Sequence, residues 1–230
     1  AGYVSFHYQR VAGKSRLGEI RHHLTNGQDI SMMRFGYNGD AELTSATNRS
    51  YVPYTYSYED HLLTKETNRN GLSFHFEYEG SGPEARCIHT WGDDGIYERW
   101  LTYLPKNHMT REKDGLGAEI VYHYNDLELV TKVFDPEGGM SEYEYGETSE
   151  LLTEKDELGR VKKYSYDDQL NCTSIAQEDG TTRRIEYNEF SQPIAVTDES
   201  GAIWRREYDK FGNIVATINP VDAKREYEYV

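Results

Sequence analysis

The side chains able to do chemistry in this chain are plentiful but scattered. Histidines stand at His7, His22, His23, His61, His75, His89, His108 and His123, and cysteines at Cys87 and Cys172. A zinc site needs such ligands clustered at short spacing. Cys87-x-His89 with His75 is the nearest approach, and it falls short of a ligand set. The cysteines make no CxxC and no disulfide framework, so they read as two plain thiols. Forty Asp and Glu would let a glycosidase-like pair be nominated anywhere, and nothing singles one out. Asp93-Asp94-Gly95 lacks the ligand string of a calcium loop. Gly80-x-Gly82 runs into Pro83 rather than a helix, which rejects a dinucleotide loop. No Gly-x-Ser-x-Gly appears, and no Cys/His pair stands out. Asn48-Arg49-Ser50 and Asn171-Cys172-Thr173 match the glycosylation sequon, a pattern chance readily supplies. The expectation is a non-enzymatic chain with no catalytic, metal or cofactor-binding residue.

The elements that would carry these residues are not helical. The 230 residues include 20 Tyr, far more than a disordered chain carries, although hydrophobic residues are only 37% and mean hydropathy is −0.84. Tyr favours strands. Lys and Arg number 25 against 40 Asp and Glu, for a net charge of −15. Residues 1–100 contribute −3 of this and residues 101–230 contribute −12. Nucleic-acid binding needs a basic stripe, so the second half argues against it, and against anionic membrane surfaces. No run approaches the ~18 apolar residues of a membrane span. The opening AGYVSFHYQR is not a signal peptide and lacks Met, which suggests a fragment.

A repeat organises the second half. Tyr103, Tyr124, Tyr145, Tyr166, Tyr187, Tyr208 and Tyr229 follow one another at intervals of 21 residues. Two residues before each stand Tyr122, Tyr143, Tyr164 and Tyr227, with Ile185 and Arg206 substituting. Seven before come Gly117, Gly138, Gly159, Gly180 and Gly201, then Asp222; ten before come Asp114, Asp135, Asp156, Gln177, Asp198 and Asn219. Tyr37, Tyr58 and Tyr78 continue the pattern loosely, with extra residues near 80–86 and 91–95. Before Tyr37 no unit is legible. The segments read as 1–32 divergent, 33–100 degenerate repeats, and 101–230 regular repeats.

Each column has a physical role. Residues two apart on a strand share a face, so Tyr143 and Tyr145 are expected to stack their rings, and neighbouring units to pair tyrosines across strands. Asp-x-x-Gly is turn chemistry, because Asp bonds its own backbone and Gly tolerates φ > 0. A second polar turn follows each tyrosine, as in DDQLN (167–171) and DKFGN (209–213). Strand, turn, strand, turn fills 21 residues, which predicts an all-β array of antiparallel hairpins. Such units need neighbours to cover them. The chain stops halfway through a unit, so it reads as a slice of a longer array whose edge, at Tyr227, Tyr229 and Val230, would favour homo-oligomers.

The run Gly-x-x-x-x-Tyr-x-Tyr-Asp-x-x-Gly, best kept in GAIWRREYDKFGNIVATINP (201–220), resembles the YD repeat of the Rhs family. The resemblance covers about residues 33–230, and strictly those from 101 onward. Asp after the tyrosine becomes Asn125, Gly146 or Asn188, and the Gly three beyond it survives in the regular part only as Gly212. The resemblance implies a segment of a spiralling β-sheet shell, as in Rhs proteins, toxin-complex C components and teneurins. In bacterial members the shell encloses a C-terminal toxin, often exported by type VI secretion. The implied partners are the rest of the shell, its toxin cargo and secretion components; the implied location is the bacterial cytoplasm, then secretion. DPEGG (135–139) resembles the family's self-cleavage motif, but Asp135 and Gly138 fall in the repeat columns and read as a turn. The net charge of residues 101–230 suggests an acidic lining or rim favouring a basic cargo. The alternative reading is a tyrosine-rich carbohydrate- or protein-binding module of the teneurin kind; a polysaccharide-active enzyme on the same scaffold ranks third. Glycan binding separates these from a plain shell wall.

Overall fold

The computed structural model describes residues 2–229, almost all of them strand or tight turn. They divide into two compact units, Ala1–Tyr103 with Arg111–Glu119, and Leu104–Thr110 with Ile120–Val230. The first unit holds β1 (Tyr3–Val11), β2 (Lys14–His23), β3 (Asp29–Tyr37), β4 (Leu43–Asn48), β5 (Pro53–Glu59), β6 (Leu62–Thr67), β7 (Ser73–Glu79), β8 (Arg86–Gly92) and β9 (Arg99–Leu104), followed by β10 (Met109–Asp114). The second holds β11 (Glu119–Tyr124), β12 (Val130–Phe134), β13 (Met140–Tyr145), β14 (Leu151–Lys155), β15 (Val161–Tyr166), β16 (Cys172–Gln177), β17 (Thr182–Tyr187), β18 (Pro193–Thr197), β19 (Ile203–Tyr208), β20 (Ile214–Ile218) and β21 (Lys224–Glu226). Helix among the described residues is limited to three single 3-10 turns, two of them in the loops at 82–84 and 93–95 where the repeat period lengthens. The all-β hairpin array read from the sequence is the architecture observed.

Pairing is antiparallel and follows chain order. In the second unit each strand from β11 to β21 pairs with its successor, for example Lys132 with Glu142 and Tyr164 with Ile175. Residues 2–32, where no repeat is legible, form β1, β2 and the start of β3, with Tyr3 opposite His23 and Val11 opposite Lys14. Val230, expected to share a terminal edge with Tyr227 and Tyr229, lies outside the described residues.

The two turns of each repeat are built alike. In the first, the Asp135 amide donates to the Gly139 carbonyl at 2.9 Å and the Gly138 amide to the Asp135 carbonyl at 3.1 Å. The Asp135 carboxylate accepts the amides of Glu137 and Gly139 at 2.9 and 2.7 Å. In the second, Asp167 makes the same bonds with Gln169, Leu170 and Asn171. Both turns need a left-handed residue at their fourth position. Glycine supplies it at Gly138, Gly159, Gly180 and Gly201. In the second column only Gly212 does; Glu128, Ser149, Leu170 and Ser191 take φ of 58–68° without being glycine. The loss of glycine there does not abolish the turn, because the backbone bonds hold it, joined by an Asx side chain at Asn125, Asp167 and Asn188 but not at Gly146.

A β-bulge accompanies every second turn of the regular repeats. Where β13 passes from Glu144 to Tyr145, its partner jumps from Thr153 to Leu151, leaving Leu152 as the extra residue. Thr131, Thr173, Ile194 and Val215 occupy the same place in their repeats. Bulges increase local twist. Burial is slight: among the described residues only Ala41, Ala46, Ser73, Gly92 and Ala216 are buried, and no large side chain is fully covered. The units therefore rest on ladder bonds and half-covered cross-strand contacts, not on a sandwich core.

Candidate functional site

The repeating tyrosine is the most regular side-chain feature, and it acts through its hydroxyl. Tyr145 donates to the Val130 carbonyl at 2.8 Å, Tyr166 to Leu151 at 2.8 Å, Tyr187 to Cys172 at 3.0 Å and Tyr208 to Pro193 at 3.0 Å. Each acceptor lies fifteen residues upstream, at the first position of the preceding strand. The expected stacking is not the device used. Tyr143 and Tyr145 share a face, but among the described residues no ring contact joins them, nor any two tyrosines of the 21-residue column. Burial pushes the phenols of Tyr145, Tyr166 and Tyr187 above their ordinary value. Tyr164, on the same face, is pushed up to about 12, first by burial and then by its hydrogen bond to Glu154. The acceptors are backbone atoms, so no residue type at 130, 151, 172 or 193 advertises them.

Register also separates the two faces, which the strand sequences alone leave ambiguous. In β11–β21 one face carries the tyrosines and the other is charged, with six Glu set among six Lys or Arg. Glu142 there lies between Lys132 and Lys155, at 3.1 and 3.2 Å. Hydrogen bonds from these two lysines hold its carboxyl below the usual range. The tyrosine face has one acid, Glu154, against Lys162, Arg183, Arg206 and Arg225. The turns between these strands hold seventeen Asp or Glu against Arg160 and Lys210. The acidity of the second half is therefore a property of the strand-end turns. It does not line a face, which corrects half of the expectation.

The sequence-level candidates are dispersed. His75 sits 3.3 Å from Asp93, whereas His89 lies 3.2 Å from Glu77 and 3.1 Å from Glu98. His75, Trp91, His89 and Trp100 stack as one column across β7–β9, with centroids 4.3–5.1 Å apart. The Cys87 thiol points to the His89 carbonyl, not to its ring. Burial raises the Cys87 and Cys172 thiols. His123 faces away from Tyr122, as strand alternation requires, with its ring edge-on to Phe134 at 5.6 Å. Asp135 makes the same turn as Asp198. Among the described residues no three His, Cys, Asp or Glu are grouped to hold a metal, and no helix is long and apolar enough to cross a membrane. The stacked column was missed because its members lie on three strands whose bulges shift their registers.

Comparison with known proteins meets this geometry. The Teneurin YD-shell family model matches residues 106–230. The chain is 29% identical over 140 residues to the "Probable deoxyribonuclease RhsB" of Dickeya dadantii (strain 3937), an alignment covering 59% of this chain and 9% of that protein. The TcdB2-TccC3 structure without its hypervariable C-terminal region superposes on all of this chain with a TM-score of 0.53, at 12% identity, using 14% of its own length. The Tc holotoxin pore of Photorhabdus luminescens covers 94% of this chain with a TM-score of 0.50, also at 12% identity and 14% of its own length. At such identities the solved structures show a shared fold. The chain spans about a tenth of the curated relative it matches. With the family model covering more than half of its residues and the same columns carrying its turns, this chain belongs to the Teneurin YD-shell family, as a YD-repeat segment of the Rhs type.

Proposed function

We propose that this segment serves as a stretch of wall, a structural role that itself uses no catalysis, in an Rhs-type shell that encloses a toxin and helps deliver it. The observation that carries the reading is a repeating strand ladder with almost no buried side chain, in which the hydroxyls of Tyr145, Tyr166, Tyr187 and Tyr208 each tie their strand to the one before. Such a ladder has almost no core of its own, and it has two chemically different faces to turn toward different surroundings. The partners in this reading are the remaining shell, the cargo and components of an export machine. The protein is made in the bacterial cytoplasm and then secreted, in competition between bacteria or in toxin-complex action. Exposed strand edges of the isolated segment pair with a second copy. The tyrosine face is slightly basic and the acid sits on the turns, so cargo selection by an acidic lining is not part of the proposal.

Protease protection tests it. In the full-length protein, the region C-terminal to the repeats resists a broad protease while the repeats are intact. It becomes as sensitive as the free region when Tyr145, Tyr166, Tyr187 and Tyr208 are all changed to Ala. Equal sensitivity with an intact wall would contradict enclosure.

A further inference from the structure

The repeat columns account for tyrosines, Asx residues and glycines, but not for a cluster on the first three strands. Tyr3, Ser5 and His7 alternate along β1 and share a face. Tyr3 lies opposite His23 on β2, and His23 lies opposite Asp29 on β3. Ser5 Oγ is 2.6 Å from His23 Nε2, and His23 Nδ1 is 2.6 Å from Asp29 Oδ1. The Tyr3 ring stacks on the His23 imidazole at 4.3 Å and 15°, fixing its plane. His7 Nε2 stands 2.8 Å from the same Ser5 oxygen.

Proton bookkeeping assigns the roles. The Asp29 carboxylate only accepts, so His23 Nδ1 donates to it, and in the neutral imidazole Nε2 is left with a lone pair. That lone pair accepts the single Ser5 proton. The hydroxyl then has no proton for His7, so His7 Nε2–H donates to the Ser5 oxygen. A hydroxyl whose proton is taken by an imidazole, itself oriented by a carboxylate, is the arrangement of an activated serine nucleophile. Ser5 is half-buried and open to solvent on this face. Beside it lies a cleft of about 450 Å³ whose lining includes Glu19, Arg21, Asp29, Arg34, Arg49 and Tyr51. Glu19 engages Arg21 at 2.8 Å and Arg34 at 3.4 Å, while Arg49 makes no ion pair among the described residues.

We propose that Ser5, His23 and Asp29 form a nucleophilic triad that cleaves carboxylic esters bearing an anionic group, an activity separate from the wall role. Ser5 Oγ bonds to the ester carbonyl carbon and its proton passes to His23 Nε2. The ester C–O bond breaks and the alkoxide leaves as the alcohol with that proton. Water then attacks the acyl-serine by the same route, giving net ester plus water to acid plus alcohol. The arginine cleft holds the anionic group. Asp29 is a positioning residue, acting through His23.

The 230-residue chain is treated with a fluorophosphonate probe and, separately, with p-nitrophenyl acetate and the anionic mono-p-nitrophenyl glutarate. The expected result is one label per chain, mapped by mass spectrometry to Ser5. Ester cleavage is lost in Ser5→Ala and reduced roughly 10²–10⁴-fold in His23→Gln. Asp29→Asn lowers the rate and displaces its pH profile, which a merely structural role would not do. The glutarate ester is preferred about tenfold, and Arg49→Gln removes that preference. Labelling of the unaltered chain decides the matter even where a variant misfolds, and circular dichroism identifies such variants. Absent labelling, labelling spread over other serines, or cleavage that survives Ser5→Ala but falls with His7→Gln would overturn the triad. Equal rates on the two esters would overturn the substrate assignment.

Discussion

The Tyr166 hydroxyl donates to the Leu151 carbonyl at 2.8 Å, while the Tyr166 backbone lies opposite Cys172 on the other side. One residue thus engages three consecutive strands, β14, β15 and β16. Cys172 in turn offers its carbonyl to Tyr187, and the relationship passes along the repeats.

Tyr166→Phe keeps the ring and removes only the bond. It should lower stability by about 0.5–1.5 kcal/mol, the usual net value of one hydrogen bond. Urea midpoints check this, with Tyr143→Phe as the comparison. Tyr166→Ala should cost more, because the ring's half-covered surface is lost as well. A Tyr166→Phe midpoint unchanged within error would remove the hydroxyl from the account.

Leu170 and Ser191 hold φ of 62° and 58°, where an L side chain is strained by roughly 1–2 kcal/mol. Leu170→Gly should raise stability by roughly 0.5–1 kcal/mol after the extra freedom of glycine in the unfolded chain is subtracted, and Ser191→Gly by less, because its hydroxyl accepts from Asn171 and donates to Gln169. Gly138→Ala should do the reverse: its φ is 89°, yet nothing lies within 4 Å of an added Cβ, so the loss is backbone strain alone. Thermal midpoints of the three variants give the signs directly.

Stability should form a plateau in pH. Burial raises Tyr145, Tyr166 and Tyr187, and Tyr164 reaches about 12, against an ordinary value of 10.0. Folded phenols titrating above unfolded ones contribute stability that is complete below the unfolded value and lost as pH rises through the folded values. On the acid side Asp209 is held below 3.8, first by the Asn213 side-chain amide, and Asp198 first by the Ser200 hydroxyl. Their contribution is present above the unfolded value and lost as pH falls through the folded ones. Urea midpoints should therefore decline below about pH 4 and again from about pH 10 toward 12. The alkaline decline should shrink in Tyr164→Phe.

Much of this fold was legible from spacing, because turn chemistry is local. Asp135 and Gly138 announce their turn within four residues, and the tyrosine interval fixes how often it recurs. The turn at DDQLN (167–171) was legible too, but not that Leu170 takes its left-handed place, held by bonds between Asp167 and Asn171. The tyrosine hydroxyl bonds escaped because their acceptors are backbone carbonyls. The faces escaped because a single bulge at Leu152 or Thr173 breaks the alternation by which a face is read. Ser5, His23 and Asp29 escaped for a related reason: eighteen and six residues separate them in sequence, and only the β1–β2–β3 register brings them together.

A wall has one face toward its cargo. Tyr143 and Glu144 are adjacent residues of β13 on opposite faces. In the full-length protein, a photocrosslinking benzoylphenylalanine is placed at position 143 in one preparation and at 144 in another, and cross-links to the region C-terminal to the repeats are mapped by mass spectrometry. The enclosing-wall account predicts cross-links from one position and none from its neighbour. Equal cross-linking from both, or from neither, would contradict it.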